Sequence, residues 1–238
     1  MAVLLLVWAV VRGSYELSRS DTEVAEPPRA GVEMAEPTST PPPPPGAPVQ
    51  CQPDLVLLCF PDDYNPDATM DAVAAQGWTC YRKGDTNGVG SPVSEARRCE
   101  LEEQVRGKYG AYIAFGYERD LTNPDNGRLE SFSLSVNTVA ALQRGERTSP
   151  EDATTRLFEL FDFMAERIWQ GKPDKLTEAK AAFAQLKPQC NSPAGRTIRG
   201  ATATTPTGYQ LTCSSPGSWQ VGDQSESHQQ TLTIKPAT

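Results

Sequence analysis

The chain has 238 residues, 38% of them hydrophobic and 22% charged, with a formal net charge of −8. That charge divides as +1 over Met1–Arg12, −4 over Gly13–Gln50 and −5 over Cys51–Thr238. An acidic chain without a basic run excludes nucleic acid, whose phosphates need clustered Lys and Arg, and direct docking on anionic lipid.

Ala2–Val11 reads AVLLLVWAVV, an unbroken apolar run closed by Arg12. A membrane span needs about 20 apolar residues, whereas a signal-peptide core needs about 7–15. No Lys or Arg precedes the run and no A-x-A cleavage site follows it. Three readings stand: an uncleaved anchor that continues upstream of Met1, an atypical signal peptide, or an apolar element packed on the domain. The stretch after it argues against the third, because a core element rarely lies beyond a long gap that cannot fold.

Gly13–Gln50 is that gap, rich in Glu, Pro, Thr and Ala, with Pro41–Pro45 uninterrupted. Such composition buries too little apolar surface to offset chain entropy, and polyproline forms a stiff spacer. The expected organisation is a membrane anchor or signal-like segment over 1–12, a disordered acidic proline-rich linker over 13–50, and an extracytoplasmic α+β domain over 51–238.

Within the domain, the apolar run Asp54–Phe60 between Pro53 and Pro61 predicts a strand covered on both faces. Asn65-Pro66-Asp67 opens a helix, with Asn65 as cap, Pro66 at the first position and Gly77 at the end. Trp78–Arg82 is a second strand and Lys83–Pro92 a glycine-rich loop. Ser94–Val105, with Ala96, Cys99, Leu101 and Val105 as its less polar positions, is expected to be helical. Ala111–Val136 predicts an antiparallel hairpin: Phe132, Leu134 and Val136 alternate with serines, and Pro124-Asp125-Asn126-Gly127 supplies the turn.

Ser149-Pro150-Glu151-Asp152 has the form of a capping box, and Leu157, Leu160, Phe161, Met164, Ile168 and Trp169 make an apolar stripe behind it that runs to Gly171. A second helix is expected over Lys175–Leu186, stopped by Pro188. After Cys190 the pattern changes to short strands at Thr197–Thr205, Tyr209–Ser214, Trp219–Val221 and Thr231–Ile234, either closing the domain as a small antiparallel sheet or forming a separate subdomain. The fold class expected is α+β, a single domain with a mixed sheet, a β-hairpin, a helical pair and a C-terminal group of short antiparallel strands.

All six cysteines lie from Cys51 onward, and none forms a CxxC pair. In an exported domain they are disulfide candidates; the favoured pairs are Cys190 with Cys213 and Cys80 with Cys99, with Cys51 and Cys59 also candidates. In a cytosolic protein they would instead be buried free thiols. Their spacings, with a single histidine, give no zinc pattern.

Chemistry is sparse. The sole histidine, His228, lies in the polar segment SESHQQ and reads as a solvated surface residue. Asp63-x-Asn65-x-Asp67 imitates the opening of a calcium loop, but Ala68 stands at the turn glycine and Ala74 at the bidentate Glu, so capping explains it better. Gly84, Gly88 and Gly90 lack the spacing of a phosphate loop. Trp78, Tyr81, Tyr112, Tyr117, Trp169 and Trp219 are candidates for a sugar or peptide groove, with core packing the commoner fate. No catalytic, cofactor or metal residue is assigned. The expected function is a membrane-tethered extracytoplasmic binding or structural domain whose partner is a protein or another envelope component. The alternatives are a secreted hydrolase using carboxylates or His228, and an inhibitor or immunity-type binder of a secreted protein.

Overall fold

The computed structural model describes residues 44–52, 56–82, 97–105, 109–119, 127–190 and 200–237. The apolar leader, the expected linker up to residue 43, the glycine-rich loop and the turn residues Pro124, Asp125 and Asn126 lie outside the described residues.

The alternation of apolar and hydroxyl side chains around Leu134 produces the centre of the fold. Strands β5 (Tyr109–Arg119) and β6 (Leu129–Ala141) form the expected hairpin, paired antiparallel from Gly110 with Val139 to Glu118 with Ser131. Phe132, Leu134, Val136, Thr138 and Ala140 all point to one face and are buried. On the other side of β6 lies β10 (Ser225–Pro236), the C-terminal strand, in which His228, Gln230, Leu232 and Ile234 repeat the same inward pattern. The late strands are therefore neither a separate subdomain nor a small sheet of their own closing the domain. They are built into the main sheet, because the polar segment before Leu232 alternates in phase with β6.

The rest of the chain extends this centre. Short strands β1 (Val49–Gln50) and β2 (Leu58–Cys59) make a small sheet of their own. Helix α1 (Pro66–Ala74) follows, then β3 (Thr79–Tyr81) and β4 (Arg97–Val105). After β6 come α2 (Pro150–Ile168) and α3 (Pro173–Cys190), then β7 (Ala201–Thr204), β8 (Tyr209–Cys213) and β9 (Gly217–Val221). The main sheet has eight strands in the order β3-β4-β5-β6-β10-β8-β7, with β9 also on β10. The chain is thus α+β, as expected, but each of its strand pairings among the described residues is antiparallel, so the sheet is not mixed.

Four local expectations need correction. The described part of Ser94–Val105 is not helical: β4 occupies Arg97–Val105, because Cys99 and Leu101 alternate with Arg98, Glu100 and Glu102 at a period of two, and Cys99 lies directly opposite Cys80. The helix-favouring glutamates hid that period. Pro188 does not stop α3, which runs to Cys190. The buried Gln230 amide donates to the carbonyls of Cys190 (3.0 Å) and Ser214 (2.9 Å), so the last carbonyl of the helix is satisfied from the sheet. Among the described residues of the apolar run Asp54–Phe60 only the two residues of β2 form a strand, with Val56 exposed and Phe60 fully buried. Lastly, Pro44–Gln50 belongs with the domain rather than the linker. The compact unit begins at Pro43, Val49–Gln50 form β1, and the Tyr209 hydroxyl donates to the Gly46 carbonyl at 2.8 Å.

The capping signals act as read. Asn65 Oδ1 accepts from the Ala68 N–H at 3.0 Å, and Ser149 with Asp152 closes a capping box at the start of α2. The three α-helices among the described residues pack on one face of the sheet: α2 lies over β6 and β10, α3 over β7 and β8, and α1 against β3 and β4. Between them the core holds a ring cluster in which Phe60 meets Tyr64 (5.0 Å), Phe132 (5.2 Å) and Tyr209 (4.8 Å between centroids). Each such side chain contributes about 1.5–3 kcal/mol by leaving water.

The six cysteines form three disulfides, Cys51–Cys59, Cys80–Cys99 and Cys190–Cys213. The first closes the β1–β2 turn, the second clasps β3 to β4, and the third ties the end of α3 to β8.

Burial raises the Tyr64 hydroxyl to about 12. It does the same for Tyr117, helped by the hydrogen bond that Tyr117 donates to Asp67 at 2.5 Å. Both phenols hold their protons more tightly folded than unfolded, where the ordinary value is about 10. Their stabilising contribution is therefore complete below pH ~10 and is lost as pH rises toward 12. Urea unfolding at a series of alkaline pH values will show stability falling across that window, with Tyr117→Phe flattening part of the fall.

Candidate functional site

The acidic cluster near the start of α1 is paired, residue by residue, with cations. Asp62 meets Arg128 at 2.9 Å, Asp63 meets Lys172 at 3.0 Å, Asp67 meets Arg119 at 3.3 Å, and Asp71 meets Arg82. Asn65 is the helix cap. These pairs fasten the β2–α1 segment to the end of β5, the approach to β6, the residue after β3 and the α2–α3 junction. Their side chains are aimed at cations rather than at a common point, and no group suited to a metal ion is found among the described residues.

The other face of the main sheet carries none of the described helices. Strand alternation fills it with small and polar groups, since every inward apolar residue has an outward neighbour such as Ser133, Ser135, Asn137, Gln229 or Thr231. A cavity of about 520 Å³ opens on this face over β3, β4, β5, β6 and β10. Tyr112, Asn137 and Gln229 lie side by side across its floor, because the register pairs Tyr112 with Asn137 and Asn137 with Gln229. The Gln229 amide donates to Ser135 Oγ at 3.3 Å, and Ser135 shares a hydrogen bond with Thr231 Oγ1 at 3.2 Å. Asn137 Oδ1 is buried with no donor among the described residues, a condition that commonly costs about 1–3 kcal/mol.

One wall of the cavity is charged and aromatic. Arg98 pairs with Glu100 at 2.9 Å, and its guanidinium lies 5.9 Å from the Tyr81 ring centroid. Glu102 stands opposite Tyr112 in the β4–β5 register. The negative charge of Glu102, with some burial, holds the Tyr112 hydroxyl above its usual value, so Tyr112 remains a neutral donor. Its ring is 49% exposed.

Of the six aromatics singled out from sequence, Trp78, Tyr117 and Trp169 are core residues. Tyr81 and Tyr112 line the cavity. Trp219 is 43% exposed on β9, and its ring approaches Gly217, the residue paired with Gln229. The sequence held the signal for this face in the serines and threonines alternating with core residues, but the lateral row Tyr112–Asn137–Gln229 depends on the pairing of three strands.

His228 is not a solvated loop residue. It sits in β10, 5% exposed, because the strand's alternation turns it to the covered face. Ser218 is directly opposite on β9, and its Oγ lies 2.7 Å from His228 Nδ1. Glu226, two residues earlier on the same face, places Oε1 3.3 Å from Nε2. No protein-family model, curated protein or solved structure matches the chain.

Proposed function

We propose that this is a binding domain whose uncovered sheet face holds a hydroxyl-rich ligand, a saccharide portion of an envelope component. The observation that carries the reading is the cavity of about 520 Å³ bounded by Tyr81 and Tyr112 and floored by Asn137 and Gln229. Aromatic rings accept the C–H faces of a sugar, and side-chain amides both donate to and accept from its hydroxyls. The charges at the cavity rim largely satisfy each other, as in Arg98–Glu100, which favours a polar ligand over a strongly charged one.

The same reading places the domain outside the cytoplasm, held by its apolar N-terminus and proline-rich stretch. The support is chemical: three disulfides suit an oxidising compartment, and Ala2–Val11 has the length of a signal-peptide core. Among the described residues no helix is long and apolar enough to cross a membrane. A phosphatase reporter that is active only after export, fused behind residues 1–50, is expected to be active; an inactive fusion in intact cells removes the localisation.

The ligand reading is tested by NMR titration of the ¹⁵N-labelled protein with soluble oligosaccharide fragments of envelope polymers. Shifts are expected at Tyr112, Asn137 and Gln229, and Tyr112→Ala is expected to weaken binding about tenfold, equivalent to about 1.4 kcal/mol. Shifts confined to the helical face, or none at these residues, contradict it.

A further inference from the structure

We infer that Ser218 is an activated nucleophile, served by His228 as base and Glu226 as positioning residue, and that it takes acyl groups from small esters. The three residues come together through strand geometry alone. In β9 and β10 the register sets Ser218 beside His228, and alternation sets Glu226 on the same side as His228. Their face is the covered one, opposite the saccharide cavity, so the two sites stand or fall separately.

Each group has the environment its role requires. Ser218 is exposed to solvent, and its Oγ is within hydrogen-bond reach of Nδ1 at 2.7 Å. The His228 side chain is 6% exposed, whereas that of Glu226 is 27% exposed. A carboxylate accepts and does not donate, so Glu226 at 3.3 Å from Nε2 favours the tautomer with hydrogen on Nε2. Nδ1 then carries the lone pair, and the Ser218 hydroxyl donates to it. Glu226 meets the distance of an ion pair but lies off the N–H axis, the loose geometry common in such relays before substrate binds.

The backbone beneath is held firmly. Thr148 Oγ1 donates to Thr138 Oγ1 at 2.8 Å, and Thr138 Oγ1 donates to the His228 carbonyl at 3.3 Å, all buried under the approach to α2. On its far side β9 pairs with no other strand among the described residues. Its outward N–H groups are therefore the donors available to an oxyanion forming at Ser218.

The step is an acyl transfer. Ser218 Oγ bonds to the ester carbonyl carbon as its proton passes to His228 Nδ1. The tetrahedral adduct collapses, the ester C–O bond breaks, and the departing alkoxide takes the proton from Nδ1. This leaves an acyl-Ser218 ester and an alcohol. A water molecule then repeats the sequence, releasing a carboxylic acid and restoring the serine.

The test treats the full chain with a fluorophosphonate probe, maps the adduct by peptide mass spectrometry, and follows p-nitrophenyl acetate hydrolysis. One adduct is expected on Ser218, absent in Ser218→Ala, which replaces an exposed side chain and keeps the near-ultraviolet circular dichroism of the parent. Glu226→Gln is expected to slow labelling and lower kcat at least tenfold with KM unchanged, a smaller effect than the ~10²–10⁴ of general-base assistance itself because Glu226 only positions the base. Labelling of Ser218 no faster than that of Ser215 on the neighbouring turn overturns the inference. So does labelling that Glu226→Gln leaves untouched, or a change confined to KM.

Discussion

One-sided burial of the main sheet is the constraint from which the rest of the molecule follows. β6 and β10 each send every second side chain into the core, and α2 lies across both. A helix can cover a sheet face only by removing apolar surface from water, and here the large apolar side chains of β6 and β10 are concentrated on one side. Most outward positions of these two strands are serine, threonine, asparagine or glutamine, which lose nothing by staying wet; Val139, Ala141 and Lys235 are the exceptions. The face free of described helices and its cavity are thus consequences of the same alternation that builds the core.

The disulfides extend this arrangement to its margins. β3 has three residues and β2 has two, too few to hold position by pairing alone. Cys80–Cys99 secures β3 to β4, and Cys51–Cys59 secures β2 to β1. Cys190–Cys213 joins the helical layer to the sheet beside Gln230, whose amide bridges the end of α3 and the residue after β8. Closing loops of this size contributes about 3 kcal/mol each in the chain-entropy description. That support matters most where the strand pairing is shortest.

Local chemistry made much of the fold legible from sequence. Asn65 and Ser149 announce helix starts because their side chains satisfy backbone N–H groups within three residues. The β5–β6 hairpin is readable because Phe132, Leu134 and Val136 keep strict alternation. β4 was obscured because Glu100, Glu102 and Glu103 favour helices, while the partners that make it a strand, β5 along its length and β3 across the disulfide, are set by tertiary pairing. His228 was misjudged for a related reason: SESHQQ is polar throughout, and only its register against β6 and β9 decides which side chains go inward. Neither the row Tyr112–Asn137–Gln229 nor the Ser218–His228–Glu226 group was legible: the row is assembled from strands distant in sequence, and the group, although it lies within ten residues on β9 and β10, depends on the register of that pair.

The most direct test of this picture is hydroxyl-radical footprinting of the intact chain, read by mass spectrometry at single residues. Tyr112 and Trp219 are expected to oxidise rapidly, while Trp78 and Trp169, on the helical side, stay protected until the protein unfolds. Protection of Tyr112 equal to that of Trp169 in the folded protein would mean that the sheet is covered on both faces, and would contradict the account.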